Sequence, residues 1–324
     1  MRRSRIVPLI VSAAAVMALI SWTMSRAQPG VDRNVPHPAA PRLRAHVEML
    51  AGSIGERNLW RPAALERAAA YIEDVFRRDG YTPTRQTFEV QGHHVSNVEA
   101  ARAPSSSNSE ILVVGAHYDS VLGCPGANDN ATGVAAVLEL ARRFAQRPHR
   151  RTIRFVAFVN EEPPFFQTSA MGSLVYAKAA EGRGDRVAGM LSLETMGYYS
   201  DERGSQQYPV SMALLYPDVG NFIGFVSNVA SAPLLLRARR AFKAATRFPL
   251  QSASVPAAIP GVGWSDHWAF WQAGYRAMMV TDTAPYRYPW YHTAHDTPDK
   301  ISYDHLAHVV DGLTHVVEVL AGGA

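Results

Sequence analysis

Three apolar runs in this chain stop at side chains that are costly to bury alone. Ile111–Ala116 stops at His117, Thr152–Asn160 at Glu161-Glu162, and Val187–Leu193 at Glu194. Each run has the length of a buried strand, and stretches with helical apolar spacing follow the first two. Parallel strands bring such ends to one edge, where loops and helix N-termini converge and ligands bind in α/β sheets. The pattern predicts an α/β fold with polar chemistry gathered along one sheet edge.

The residues at that edge have two readings. His117 and Asp119 are two apart, so in extended chain they share a face, and Asp119 could orient a metal-bound imidazole. A loop with Gly123, Pro125 and Gly126 then delivers Asn128, Asp129 and Asn130 to a helix, with Thr132 as a plausible cap. Val134, Val137, Leu138, Ala141 and Phe144 give that helix its apolar side. The bland reading is a polar loop with a surface histidine. Likewise Glu161-Glu162 is either a solvated acidic pair or two carboxylates held by a cation. Pro163-Pro164 and Phe165-Phe166 make the following loop stiff and apolar, unlike a solvated turn.

The remaining chain supplies a frame. Helices are predicted over Pro41–Ala51, Pro62–Gly80, Ser169–Glu181, Leu234–Thr246 and Ser302–Leu320. Antiparallel edge strands are predicted over Thr84–Val90 and Val95–Ala101, and further strands over Met212–Leu215, Phe222–Val226 and Ala277–Asp282. Asp266-His267 sits between tryptophans and could line a pocket or cap a helix with packing aromatics. An aromatic loop, Tyr286 to Tyr291, ends at His292, with His295 and Asp296 close by.

Composition matters at the N-terminus. Arg2, Arg3, Arg5 and Arg26 precede any acid and account for the whole net charge of +4. The basic balance is therefore no argument for nucleic acid binding. These arginines flank an apolar stretch, with anchoring possible through residues 6–24. Residues 1–27 read as a signal peptide or membrane anchor, 28–41 as a linker, and 42–324 as one domain. Either reading of the leader places the body outside the inner membrane, periplasmic, secreted or anchored to the outer face. The single cysteine, Cys124, excludes an internal disulfide.

GAHYDS, GANDNATG, NEEPPF, LSLETMGY, SDHWAF and YHTAHDTPDKI, in this order and spacing, resemble the signatures of the di-zinc exopeptidases of metallopeptidase family M-twenty-eight. The resemblance covers roughly Leu43 to Val317. It implies a three-layer α/β/α sandwich around a mixed, mostly parallel sheet, and two zinc ions per chain. By position, His117 and Glu194 resemble the ligands of one zinc, and Glu162 and His292 those of the other. Asp129 resembles the bridging carboxylate, Glu161 the general base and Asp119 the carboxylate that orients His117. Glu194 stands where many members have aspartate. His295 is the local competitor of His292, and Tyr291 could hydrogen-bond a developing oxyanion. The implied activity is aminopeptidase hydrolysis of peptides. A glutaminyl cyclase-like acyltransferase and a carboxypeptidase share the metal core. An exported peptide- or zinc-binding protein is the non-enzymatic alternative, which the base at Glu161 disfavours. Phe165, Phe166, Trp264, Trp268, Tyr288 and Trp290 suggest an aromatic-walled pocket beside Asp266, His267 and Tyr291.

Overall fold

In the computed structural model, residues 36–105, 109–208 and 215–322 are described. The expected leader and most of the linker lie outside them, as does most of the strand expected over Met212–Leu215. One eight-stranded sheet forms the middle layer. Its strands are β1 (Thr84–Val90), β2 (His93–Arg102), β3 (Glu110–His117), β4 (Thr152–Phe158), β5 (Arg186–Glu194), β6 (Ile223–Ser227), β7 (Leu250–Ser254) and β8 (Ala277–Thr281). They lie in the order β1-β2-β4-β3-β5-β8-β6-β7. β4, β3, β5 and β8 run parallel, and β6 and β7 are parallel to each other. The pairs β1–β2, β2–β4 and β8–β6 are antiparallel. The predicted edge strands are thus present, joined to the parallel core through β4.

Alternation along the central strands sorts side chains into two layers. Leu112, Val114 and Ala116 of β3 belong to the larger core, Ile111 and Val113 to the smaller. The larger core is covered by α1 (Ala40–Val47), α2 (Pro62–Arg78), α3 (Thr132–Phe144), α5 (Ala232–Ala245) and α7 (Tyr303–Leu320). The smaller one is covered by α4 (Gly172–Gly182) and α6 (His267–Gln272). The architecture is therefore the expected α/β/α sandwich.

Helical spacing explains each cover. On α7, Leu306, Val309, Val310, Leu313, Val316, Val317 and Leu320 form one stripe, and all are buried. Each such side chain contributes about 1.5–3 kcal/mol relative to exposure. α1 ends sooner than predicted, continuing as a wider-wound turn over Glu48–Ile54. Among the described residues, no helix is long and apolar enough to cross a membrane.

Candidate metal centre

The parallel run β4-β3-β5 delivers its carboxyl ends side by side. His117 ends β3, Glu194 ends β5, and Glu161-Glu162 lie just past β4. Asp129 arrives from the loop before α3, and His292 from the loop before α7. Residues at these exits adopt left-handed backbone: Asn160 (φ 59°), Thr195 (φ 43°) and His292 itself (φ 56°). Such conformations cost non-glycine residues of the order of 1–3 kcal/mol each and persist where surrounding structure enforces them.

Two triads result, sharing one carboxylate. His117 Nε2 lies 3.3 Å from Asp129 Oδ1 and 3.3 Å from Glu194 Oε2. His292 Nε2 lies 3.1 Å from Asp129 Oδ2 and 3.2 Å from Glu162 Oε2. Each oxygen of Asp129 therefore faces a different imidazole. Glu161 Oε2 lies 3.7 Å from His117 Nε2 and belongs to neither triad. His295 is exposed, whereas His292 points inward.

The donor set fits divalent metal. Buried polar atoms almost always find hydrogen-bond partners. Here His117 Nε2, Asp129 Oδ1, Glu162 Oε1 and His292 Nε2 have none. Burial pushes Glu161 well up, despite the opposing His117, with Glu194 and Glu162 adding to the rise. Burial and Asp129 push Glu162 up to about 7. Burial works against charge on His117, yet Glu194 and Glu161 hold its pKa well above the ordinary value. This is an excess of negative charge without a permanent cation, and a pair of divalent ions would relieve it. Imidazole and carboxylate with room for water is the ligand chemistry of catalytic zinc.

The surroundings fix these side chains in ways the sequence reading did not foresee. Asp119 lies 3.6 Å from His117 Nδ1, but its oxygens accept the backbone N–H groups of Glu161 and Glu162, each at 3.2 Å. It thus ties β3's exit to β4's. Thr132 is not the helix cap: its hydroxyl donates to Asn128 O. Asn130 takes that role, its Oδ1 accepting from Gly133 N at 3.0 Å and Thr195 N at 3.1 Å. Asn128 bonds Gly197 N and Asp282, so both neighbours of Asp129 are anchored to other strands' exits. Gly133 is required by close approach, since a Cβ there would sit 2.3 Å from Leu193 O. Ser265 donates to Glu194 Oε2 at 2.7 Å.

Arg57 is the largest omission. Its side chain is fully buried, and it donates to the carbonyls of Tyr118, Leu50, Gly55, Pro125 and Gly126. No charge partner in the sequence marks it, because its acceptors are all backbone.

The pocket differs from expectation. Asp266 and His267 are fully buried and face no solvent. Burial raises Asp266 to about 7, while His267 Nε2 meets Val262 O and its ring packs edge-on against Trp271. Both belong to the foundation beneath the site, because the helix they start is pressed against the sheet. Tyr291 stacks on His292 at 3.8 Å and, with Glu194, lines an apolar cavity. Its walls include Tyr208, Tyr216, Phe225, Val226, Trp264 and Tyr286. Of the aromatics expected there, only Trp264 contributes. Phe165 stacks on Trp60, Trp268 lines a neighbouring groove, and Tyr288 and Trp290 pack on Tyr198.

A third cluster, His37, His308 and Asp311, lies at α7. There His37 Nδ1 accepts from Ala39 N, so Nε2 carries the proton it donates to Asp311 at 2.9 Å. This is a hydrogen-bonded clasp on the segment before α1.

Residues 97–317 match the model of Peptidase family M28. The chain is 37% identical to the uncharacterized protein YfbL of Escherichia coli over 298 residues, covering 88% of this chain and 91% of that protein. It is 29% identical to aminopeptidase YwaD of Bacillus subtilis over 226 residues, 68% of this chain but 44% of the relative. In fold it is similar to BSAP, a zinc aminopeptidase from Bacillus subtilis (TM-score 0.71, 18% identity, covering 87% of this chain and 95% of that one). A Fimbriiglobus ruber glutaminyl cyclase shares the fold as well (TM-score 0.65, 22% identity, covering 88% and 97%). The chain belongs to peptidase family M28 and shares the fold of the zinc aminopeptidases.

Proposed function

We propose that this enzyme removes N-terminal residues with large apolar side chains from peptides, using two zinc ions per chain. The supporting observation is the shared Asp129, each of whose oxygens faces a separate histidine–carboxylate set. His117 and Glu194 would hold one ion, His292 and Glu162 the other, with Asp129 common to both. Bound zinc lowers the pKa of water from ~15.7 to about 7 and polarises a carbonyl.

The protein's own residues supply the rest. Glu161, free of both triads, takes a proton from the attacking water and returns it to the leaving amine. Burial raises its pKa above the ordinary carboxyl value, which suits a group that must take up a proton and give it back. Asp119 fixes the main chain of Glu161 and Glu162, so the base and a ligand keep one register. The Tyr291 hydroxyl is a donor for the carbonyl oxygen as it gains charge. The carboxylate-rich centre favours a cationic α-amine, which a blocked N-terminus lacks. In the adjoining cavity, Glu194 is the only charged residue among the described lining and would be engaged by zinc, so charged N-terminal side chains find no free counter-ion there.

Two complete ligand sets favour hydrolysis over the glutaminyl cyclase alternative on the same fold. The test is a panel of aminoacyl-nitroanilides, their N-acetyl forms and N-terminal glutaminyl peptides, with metal counted on the same sample. Cleavage of free Leu and Phe substrates, with Lys and Glu substrates at least ten-fold slower and about two zinc ions per chain, is expected. Cyclisation of the glutaminyl peptides with one zinc per chain would overturn the reading.

A further inference from the structure

We propose that Asp296 is a positioning residue for Asp129, a clasp that sets the loop carrying the shared carboxylate against the loop carrying His292. The assignment rests on the metal reading above only for its consequence on zinc. Asp296 is fully buried. Three successive backbone N–H groups end on it: Ala127 donates to its main-chain oxygen at 3.2 Å, Asn128 to Oδ1 at 2.8 Å, and Asp129 to Oδ2 at 3.1 Å. Tyr288 OH adds a fourth bond to Oδ1 at 2.7 Å.

These N–H groups have no helical ladder to use. Asp129 (φ −111°, ψ 90°) and Asn130 (φ −135°, ψ 44°) are not helical, so α3's hydrogen bonding starts only beyond them. Left unmade, each buried N–H would cost about 1–3 kcal/mol. Asp296 satisfies them from a point four residues past His292, within the same turn, where its own N–H donates to Thr293 O. One side chain thereby links the carboxylate common to both triads with a ligand of one of them. The bond to Asp129 N acts on the very residue that carries the shared carboxylate.

The chemistry of this carboxylate gives a selective test. In Asp296→Asn one oxygen becomes an NH2 donor. Oδ1 receives two donors, so the amide keeps its oxygen there, and the bond from Asp129 N is the one lost. Tyr288→Phe removes a bond to the same carboxylate and leaves both N–H contacts. The measurements are zinc affinity by chelator competition, kcat and KM at saturating zinc, and amide exchange at residues 127–129 in metal-free protein. Asp296→Asn is expected to weaken zinc binding 10–100-fold, the range for groups that orient metal ligands. It should lower kcat with KM held, and speed exchange at Asp129. Tyr288→Phe is expected to stay within about two-fold of wild type. Equal zinc affinity in Asp296→Asn and wild type, or an equal loss in both variants, overturns the assignment. So does rapid exchange at Asn128 and Asp129 in the metal-free wild-type protein, a measurement needing no variant. A wild-type protein that binds no zinc would defeat the function proposed above, while amide protection still decides the clasp.

Discussion

Two sites of buried acid among the described residues can be set side by side, and their partners differ in kind. On α3, the Glu139 side chain is fully buried and is gripped by Arg42, Arg142 and Arg143 at 2.8–3.2 Å. Three permanent cations answer one acid. At the sheet edge, Asp129, Glu161, Glu162 and Glu194 face two imidazoles whose inward nitrogens have no hydrogen-bond partner. Burial of acid therefore identifies nothing by itself. The first is complete within the chain and holds α1 to α3; the second has no permanent cation and carries more acid than its two imidazoles can balance.

Removing metal should separate the two most sharply. Exhaustive chelation is expected to abolish peptide hydrolysis, and zinc to restore it. At zinc 100-fold above its Kd, the loaded protein should gain about 2.7 kcal/mol of stability, read from the denaturation midpoint. Undiminished turnover after chelation would put both clusters in the structural class. Glu161→Gln comes next, with hydrolysis falling about 10²–10⁴-fold while zinc content is unchanged. A variant with wild-type kcat would remove Glu161 from proton transfer.

Glu139→Gln gives the smallest effect on turnover and the reverse signature. It should destabilise the fold by about 3 kcal/mol, the low end for breaking a buried pair because Arg42 and Arg142 are 46% and 44% exposed. Zinc affinity should not move. The arginines hold the Glu139 carboxyl well below its ordinary value of 4.5, against the effect of burial. A depressed folded-state pKa stabilises above the unfolded value, and that stability is lost as pH falls below about 4.5. Denaturant titrations should show a shallower acid limb in the variant than in wild type; parallel limbs would refute this.

How much of this could be read in the chain follows from distance along it. The helical stripe of α7 and the strand ends at His117 and Glu194 announce themselves through local periodicity and abrupt changes of polarity. The choice of His292 over His295 came from the resemblance, since spacing alone does not distinguish two histidines in one loop. Aromatic residues look alike in sequence: Tyr288 is spent on Asp296, Tyr286 of the same loop lines the cavity, and Tyr208 and Tyr216 come from the poorly patterned middle. Asp266 and His267 could by sequence line a pocket or cap a helix, and burial beneath the sheet edge withdraws them from substrate. Arg57 left no trace, and Asp296 stood only as a neighbour of His292, because backbone acceptors and donors, present at every position, are most of their partners.

Arg57 also bears on where this protein can be shortened. Residues 97–317, the stretch matched to the family, hold every proposed ligand, the proposed base and Asp296. They omit the guanidinium that gathers the carbonyls of Pro125 and Gly126 just ahead of Asp129. A fragment beginning at residue 97 would carry the whole catalytic alphabet without the pin that keeps its letters in line.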